Sequence, residues 1–349
     1  MTFEYKIADV IKSATLIKRQ EQRAVFISFL LVFALMAAYY MLRPVRDAMA
    51  SDWTNTEISV LWNIQFILSL AFVAIYGFAV SRINFRNLVP SVYGFFALSF
   101  VSFHFGGSLV ESPIVLDKSF YLWVSLFSLF HVSVFWSLMA DLYNKEQSKR
   151  LFGFIAVGAS AGAIVGPIVA TIAAQTIGSE SLMLVASFIM LIPLPIVFYL
   201  QYLKRTALHN EQVNVDLASI KIGGNPLAGF RNFVTNPYLI GIAAFILLYT
   251  AISSFAYFEQ TNLLRDYNRD QRTQILALLA LVVNSLTFIL GFFATSRLTT
   301  KLGMPTTLAL VPVFMCVALI ILAFAPILTV LLGLQVARQA GNYGITRPA

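Results

Sequence analysis

The chain has 349 residues, 59% of them hydrophobic and 11% charged, with a mean hydropathy of +0.79 and a formal net charge of +8. Soluble domains carry about 25% charged residues, so a soluble enzyme or binding module is excluded and an integral membrane protein is indicated. The one cysteine, Cys316, lies in an apolar run, which excludes a disulfide framework and suggests no thiol–metal site.

Residues 1–23 mix charged and polar side chains, carry no cleavable signal pattern, and read as an amphipathic cytoplasmic lead-in. Ten apolar runs follow, at 24–42, 60–80, 88–106, 119–140, 151–177, 181–203, 238–258, 274–295, 304–324 and 326–345. Each is near the ~20 residues that a spanning helix needs. Barrel strands would instead alternate over about 10 residues.

With the N-terminus placed inside, the inside segments hold 17 Lys and Arg and the outside segments 6, while Arg338 lies within a span. The positive-inside rule then predicts both termini in the cytoplasm. The basic surplus is a topology signal, and nucleic acid is not an expected partner. The expected location is the inner (plasma) membrane of a bacterium, with the lipid bilayer as the first partner.

The longest connection, 204–237, follows the sixth span and contains Gly223-Gly224-Asn225-Pro226. It divides a six-helix bundle at 24–203 from a second bundle at 238–349. The halves echo each other. Val45-Arg46-Asp47 after the first span matches Leu264-Arg265-Asp266 after the seventh. Ser81-Arg82 after the second matches Ser296-Arg297 after the eighth. Duplicated bundles with a site between them near midplane are the plan of major facilitator transporters. The expectation is an all-α polytopic membrane protein with a major facilitator-like two-bundle fold. Ten transmembrane helices are present of an expected twelve, the chain stopping at Arg347-Pro348-Ala349.

Ionisable groups at spans mark the candidate site, because such groups are costly in a membrane and usually serve a substrate, an ion or an interface. Leu42-Arg43-Pro44-Val45-Arg46-Asp47 follows eighteen uncharged residues. Arg43 and Arg46 are three apart and share a helix face, Pro44 removes a backbone donor, and a guanidinium fork suits carboxylate or phosphate. The competing reading is an interfacial anchor with Asp47 as a local partner. Glu259 ends the seventh span after Ser253, Ser254 and Tyr257, and is either a cavity carboxylate or a solvated helix end. Arg338, with Gln335 and Gln339 nearby, lies inside the tenth span, where it lines a cavity or snorkels. Asn284 and His131 are weaker candidates.

Gly158, Gly162 and Gly166, spaced by four and followed by Pro167, predict a helix face that admits another backbone closely. Asp141 to Arg150 is a charged connection, either a gate surface or a solvated loop. No site for chemistry appears: there is no Walker-type loop, no His/Cys metal spacing and no Gly-x-Ser-x-Gly. No cofactor or metal is expected, and no enzymatic activity.

Several short elements resemble the ATP:ADP antiporter (nucleotide transporter) family of obligate intracellular bacteria and plastids. They are Leu42 to Asp47, Phe135-Trp136 with Ala140-Asp141 and Lys149-Arg150-Leu151-Phe152-Gly153, Ile252-Ser253 through Glu259, and Asn342-Tyr343 through Pro348. The resemblance implies a twelve-helix major facilitator-like fold and a phosphate-bearing substrate met by membrane-embedded charge. The family's functional Lys falls on Arg46 and its later Glu on Glu259, while its last functional Lys falls one residue beyond Ala349. The family's acidic residue in the fourth span has no counterpart here, and Asn is replaced by Asp141 with a one-residue offset.

The expected function is transport of an anionic solute, a nucleotide among the candidates, by alternating access. The substrate-binding set is Arg43, Arg46, Asp47, Glu259, Arg338, Asn342 and Tyr343. Two alternatives remain: proton-coupled transport of another organic anion with Glu259 or Asp47 as proton carrier, and a non-transporting scaffold with the same fold. Charge facing a cavity separates the transport readings from the scaffold.

Overall fold

A computed structural model describes residues 17–106, 113–208, 210 and 235–346. The N-terminal lead-in up to residue 16, most of the 204–237 connection and Arg347 to Ala349 lie outside the described residues. Every regular element among the described residues is helical.

The first half holds α1 (Gln22–Ala50), α2 (Asn55–Arg82), α3 (Phe85–Gly106), α4 (Pro113–Leu142), α5 (Lys145–Thr176), α6 (Ser181–Leu191) and α7 (Pro193–Thr206). Helices α6 and α7 form one span, divided where Pro193 withholds a backbone donor. The second half holds α8 (Pro237–Leu263), α9 (Arg269–Ile289), α10 (Thr295–Leu302), α11 (Met304–Phe324) and α12 (Leu328–Gly341). Leu290–Ala294 and Asn342–Thr346 are π-helical turns after α9 and α12. Nine helices among the described residues are long and apolar enough to cross a membrane.

The helix starts are set by local chemistry. Thr54 with Glu57, Asn144 with Gln147, and Asn268 with Gln271 form reciprocal capping boxes at the starts of α2, α5 and α9. Each satisfies backbone donors that a helix start leaves free.

Two boundaries differ from the hydropathy reading in ways that matter for the site. Helix α1 does not stop before its charges: it runs through Arg43, Pro44 and Arg46 to Ala50. Arg46 has a protein partner there in Asp47, and the helix continues past Pro44, which lacks only its own backbone donor. Helix α8 runs on to Leu263, which puts Glu259 within the helix rather than at its end. The predicted tenth span is in fact a 14-residue helix plus a π-helical turn.

Packing is anchored on the α1–α5 pair. A Cβ on Gly158 would lie 2.6 Å from the carbonyl oxygen of Phe29, and one on Gly166 2.6 Å from that of Ala37. A Cβ on Gly162 would collide with the Phe33 carbonyl. The three glycines and buried Pro167 therefore form a ridge on which the α1 backbone sits, where any side chain would force the helices apart. Helix α9 crosses both α1 and α5 and joins the halves. Asn284 on α9 donates to the Ala163 carbonyl of α5 at 2.7 Å.

Candidate functional site

A cavity of about 370 Å³ lies between the halves, walled by α1, α2, α8, α9, α12 and the turn after α12. From α1 come Arg43, Pro44 and Asp47, and from α12 Gln335, Arg338 and Gln339. On α8, Tyr249, Ser253, Tyr257 and Gln260 follow the three- and four-residue spacing that keeps side chains on one helix face. Trp62, Asn342 and Tyr343 complete the polar and aromatic part of the wall.

Asp47 supplies the negative charge on this wall. Its Oδ1 accepts from Nε and Nη2 of Arg46, at 2.9 and 2.7 Å, and from the Tyr257 hydroxyl at 3.3 Å. Arg46 lies behind the wall, donating through Nη1 to Ser125 and standing over the Tyr121 ring. The Tyr121 hydroxyl meets that of Tyr257 at 3.3 Å and accepts from the Trp62 indole at 2.8 Å. A continuous polar network thus links α1, α2, α4 and α8 at the edge of the cavity.

Arg43 is placed differently. Its nearest carboxylate oxygen, on Asp47, is 3.7 Å from Nε, beyond hydrogen-bond range. Among the described residues its fork has no hydrogen-bonded partner, and its side chain keeps 29% of its surface accessible.

Arg338 is buried and has no carboxylate partner among the described residues. Its Nε and Nη2 donate to Gln335 Oε1 at 3.1 and 2.6 Å, and Nη1 donates to the hydroxyls of Ser253 at 2.6 Å and Tyr249 at 3.3 Å. Its donors are satisfied by neutral groups and its charge is not. Three guanidiniums against one carboxylate leave the cavity region with two positive charges.

One end of this cavity is shut by a separate cluster. Arg269 pairs with Asp52 at 2.9 Å and Asp117 at 2.6 Å. Arg272 pairs with Asp52 and donates to the carbonyls of Leu264 and Arg265, at 2.9 and 2.7 Å. Arg265 reaches the Trp53 carbonyl at 3.0 Å, and Asp270 accepts from the Ser179 backbone at 2.7 Å. This latch ties the α1–α2 connection and the end of α5 to the α8–α9 turn. The cavity begins one turn further along α9, at Leu276. Between them Trp62 stacks on Phe258, with ring centroids 5.0 Å apart.

Of the expected site residues, Arg43, Asp47, Arg338, Asn342 and Tyr343 line the cavity and Arg46 braces it. Glu259 is off the wall and makes no ion pair among the described residues, because the next residue, Gln260, takes the cavity-facing position about 100° around the helix. The Arg265-Asp266 echo of Arg46-Asp47 does not reproduce its pairing, since the Arg265 fork goes to backbone carbonyls of the opposite half. His131 is buried within the first half, stacked on Tyr39, with Nδ1 against the Phe127 carbonyl. Asp141 pairs with Lys204 at 2.9 Å, a contact between α4 and α7.

The sequence reading missed Trp62, Tyr249 and the latch residues Asp52 and Asp117. An aromatic in an apolar run, or an acid at a helix start, carries no distinguishing signal.

The fold resembles a solved crystal structure described as a bacterial homolog to the human lysosomal transporter Spinster, in an inward-facing and unoccupied conformation. Identity is 15% and the TM-score 0.55, over 94% of this chain and 74% of that one. No curated protein matches the chain. The comparisons support the broad superfamily of transporters and not the ATP:ADP antiporter family within it. The sequence model of the Major Facilitator Superfamily matches residues 25–347, nearly the whole length, and this multi-pass membrane protein, a transporter, belongs to that superfamily.

Proposed function

We propose that the protein carries a small anionic solute across the membrane by alternating access, with the cavity between its halves as the binding site. The observation that carries this reading is Arg338, a buried cation held by neutral partners on a cavity wall that also presents the open fork of Arg43. An unpaired charge within a membrane protein is costly, and a negatively charged ligand is the natural partner for both groups. The Lys and Arg asymmetry supports placing both termini in the cytoplasm of an inner membrane. The latch then lies on the outer side and the cavity is reached from the inside. In a cycle of rocking bundles, the Arg269 and Arg272 pairs would part to expose the same site outward.

A nucleotide is a second, competing reading, resting on the short antiporter-like elements and on the Trp62 and Tyr343 rings that line the same cavity. Uptake into proteoliposomes of the full-length protein tests both readings. Uptake of labelled anions that is lost in Arg338→Gln supports the anion carrier. Uptake of labelled ATP that depends on internal ADP supports nucleotide exchange. Transport of neutral or cationic solutes, with no anion moved, sinks the proposal.

A further inference from the structure

Arg338 is gripped in a way that Arg usually reserves for an acid. Nε and Nη2 converge on one oxygen, as those of Arg46 do on Asp47 Oδ1, but here the acceptor is the amide oxygen of Gln335. Gln335 is held in that orientation by its own nitrogen, which donates to Gln260 Oε1 at 2.9 Å and to the Ala256 carbonyl at 3.3 Å. Gln339 donates to the same Gln335 oxygen at 3.3 Å. Gln335 is 2% exposed, so solvent does not compete for these bonds. The relay from Gln260 through Gln335 fixes the guanidinium while leaving its full charge. On the opposite wall, Arg46 and Arg43 share the one carboxylate of Asp47, the first through hydrogen bonds and the second at 3.7 Å, which leaves one positive charge in excess beside the open Arg43 fork. The wall thus offers two separate positive charges on two helices from different halves.

Resting on the anion-carrier reading above, we propose that the cavity selects a doubly charged small organic anion, with one negative charge met by Arg43 and the other by Arg338. Gln335 sets this preference by filling the Arg338 fork without neutralising it. A dicarboxylate and a phosphate monoester share this chemistry. A monoanion leaves one guanidinium unmatched, and a nucleoside triphosphate brings more charge than the wall balances. The cavity, at about 370 Å³, is near the lower end of small-molecule sites, which suits a compact solute.

The test uses the full-length protein purified in detergent, with apparent affinities read from ligand-dependent thermal stabilisation. Lactate probes one charge, succinate and glycerol phosphate two, and ATP more. The dianions should act at concentrations roughly 10-fold or more below lactate, the scale of one charge-assisted hydrogen-bond set, and whichever of the two dianions binds more tightly identifies the class. Gln335→Glu, which gives Arg338 a counter-ion of almost the same shape, should erase that margin. Should the variant fail to fold, Arg338→Gln removes the same unit of charge and reads the same margin. Lactate binding as tightly as the dianions, with Gln335→Glu changing nothing, overturns the charge preference and leaves the anion reading intact. ATP binding more tightly than either dianion overturns the two-charge assignment. Stabilisation by neutral sugars alone, with no anion effective, overturns the anion-carrier reading itself.

Discussion

At the end where α1 stops, Arg269 and Arg272 meet Asp52 and Asp117, two cations against two anions. One to three turns deeper, Arg43 and Arg338 have Asp47 as the available acid, and Arg46 already holds it. The side chain is the same in both places and the surroundings separate the roles. In the latch Arg269 and Arg272 are matched by carboxylates across the boundary between the halves, and in the proposed cycle these pairs hold one conformation closed. On the cavity wall Arg338 has its donors satisfied by neutral groups and Arg43 has no hydrogen-bonded partner among the described residues, and on the proposed reading a ligand supplies the missing negative charge. Arg269 and Arg272 therefore differ from Arg338 in having carboxylate partners across the boundary between the halves, and that difference is what the proposed division between closing and binding arginines rests on.

The largest effect expected from breaking this distinction is at Arg338. Arg338→Gln should lower anion transport by roughly 100-fold, the scale of removing a partner from a desolvated charged contact. It should leave the melting temperature of the empty protein nearly unchanged, because no counter-ion is stranded. Arg272→Gln should do the reverse. It strands part of Asp52 and removes the donors to the Leu264 and Arg265 carbonyls, at a cost of about 3 kcal/mol. The readouts are thermal melting and the rate at which a cysteine at Thr250, in a Cys316→Ser background, reacts with an impermeant thiol reagent added on the latch side. Faster labelling and lower melting, with unchanged preference among anions, is the expected outcome. A variant at Arg272 that melts normally while Arg338→Gln unfolds would invert the comparison.

Much of the frame was legible in the sequence. The apolar runs located the spans because a bilayer demands length and hydropathy before anything else. Arg338 was legible as a charge inside such a run, and the glycine ridge as a spacing of four. What was not legible depended on neighbours from distant positions. The end of α1 was misplaced because charges look like a boundary, whereas Arg46 with Asp47 beside it lets the helix continue to Ala50. Glu259 drew attention for its charge, yet a one-residue step around α8 gives the cavity to Gln260. Gln335 is neutral, and its importance comes from what it holds. Arg272 sits at a helix start, where a cation is unremarked until its depth beneath the α8–α9 turn is known.

The smallest expected effect sharpens the comparison from the opposite end of α1, where the matched pair Glu21–Arg150 ties the helix start to α5 at 3.0 Å. Burial alone would raise the Glu21 carboxyl. The hydrogen bonds from Arg150 and the Lys18 backbone, with the charges of both, outweigh it and hold the group below its ordinary value of 4.5. A carboxyl lowered on folding stabilises the fold fully above its unfolded value, and that stabilisation is lost as pH falls through the folded value. Melting measured from pH 7 down to about pH 2 should therefore show, below about pH 4.5, a loss of about 1 kcal/mol in the wild type that is absent from Glu21→Gln. Because this pair is balanced like the latch and far from the cavity, the order of preference among anions at pH 7 should be the same in Glu21→Gln as in the wild type. A change in that order would mean that a matched pair reaches the binding site, and the division between closing and binding arginines would have to be redrawn.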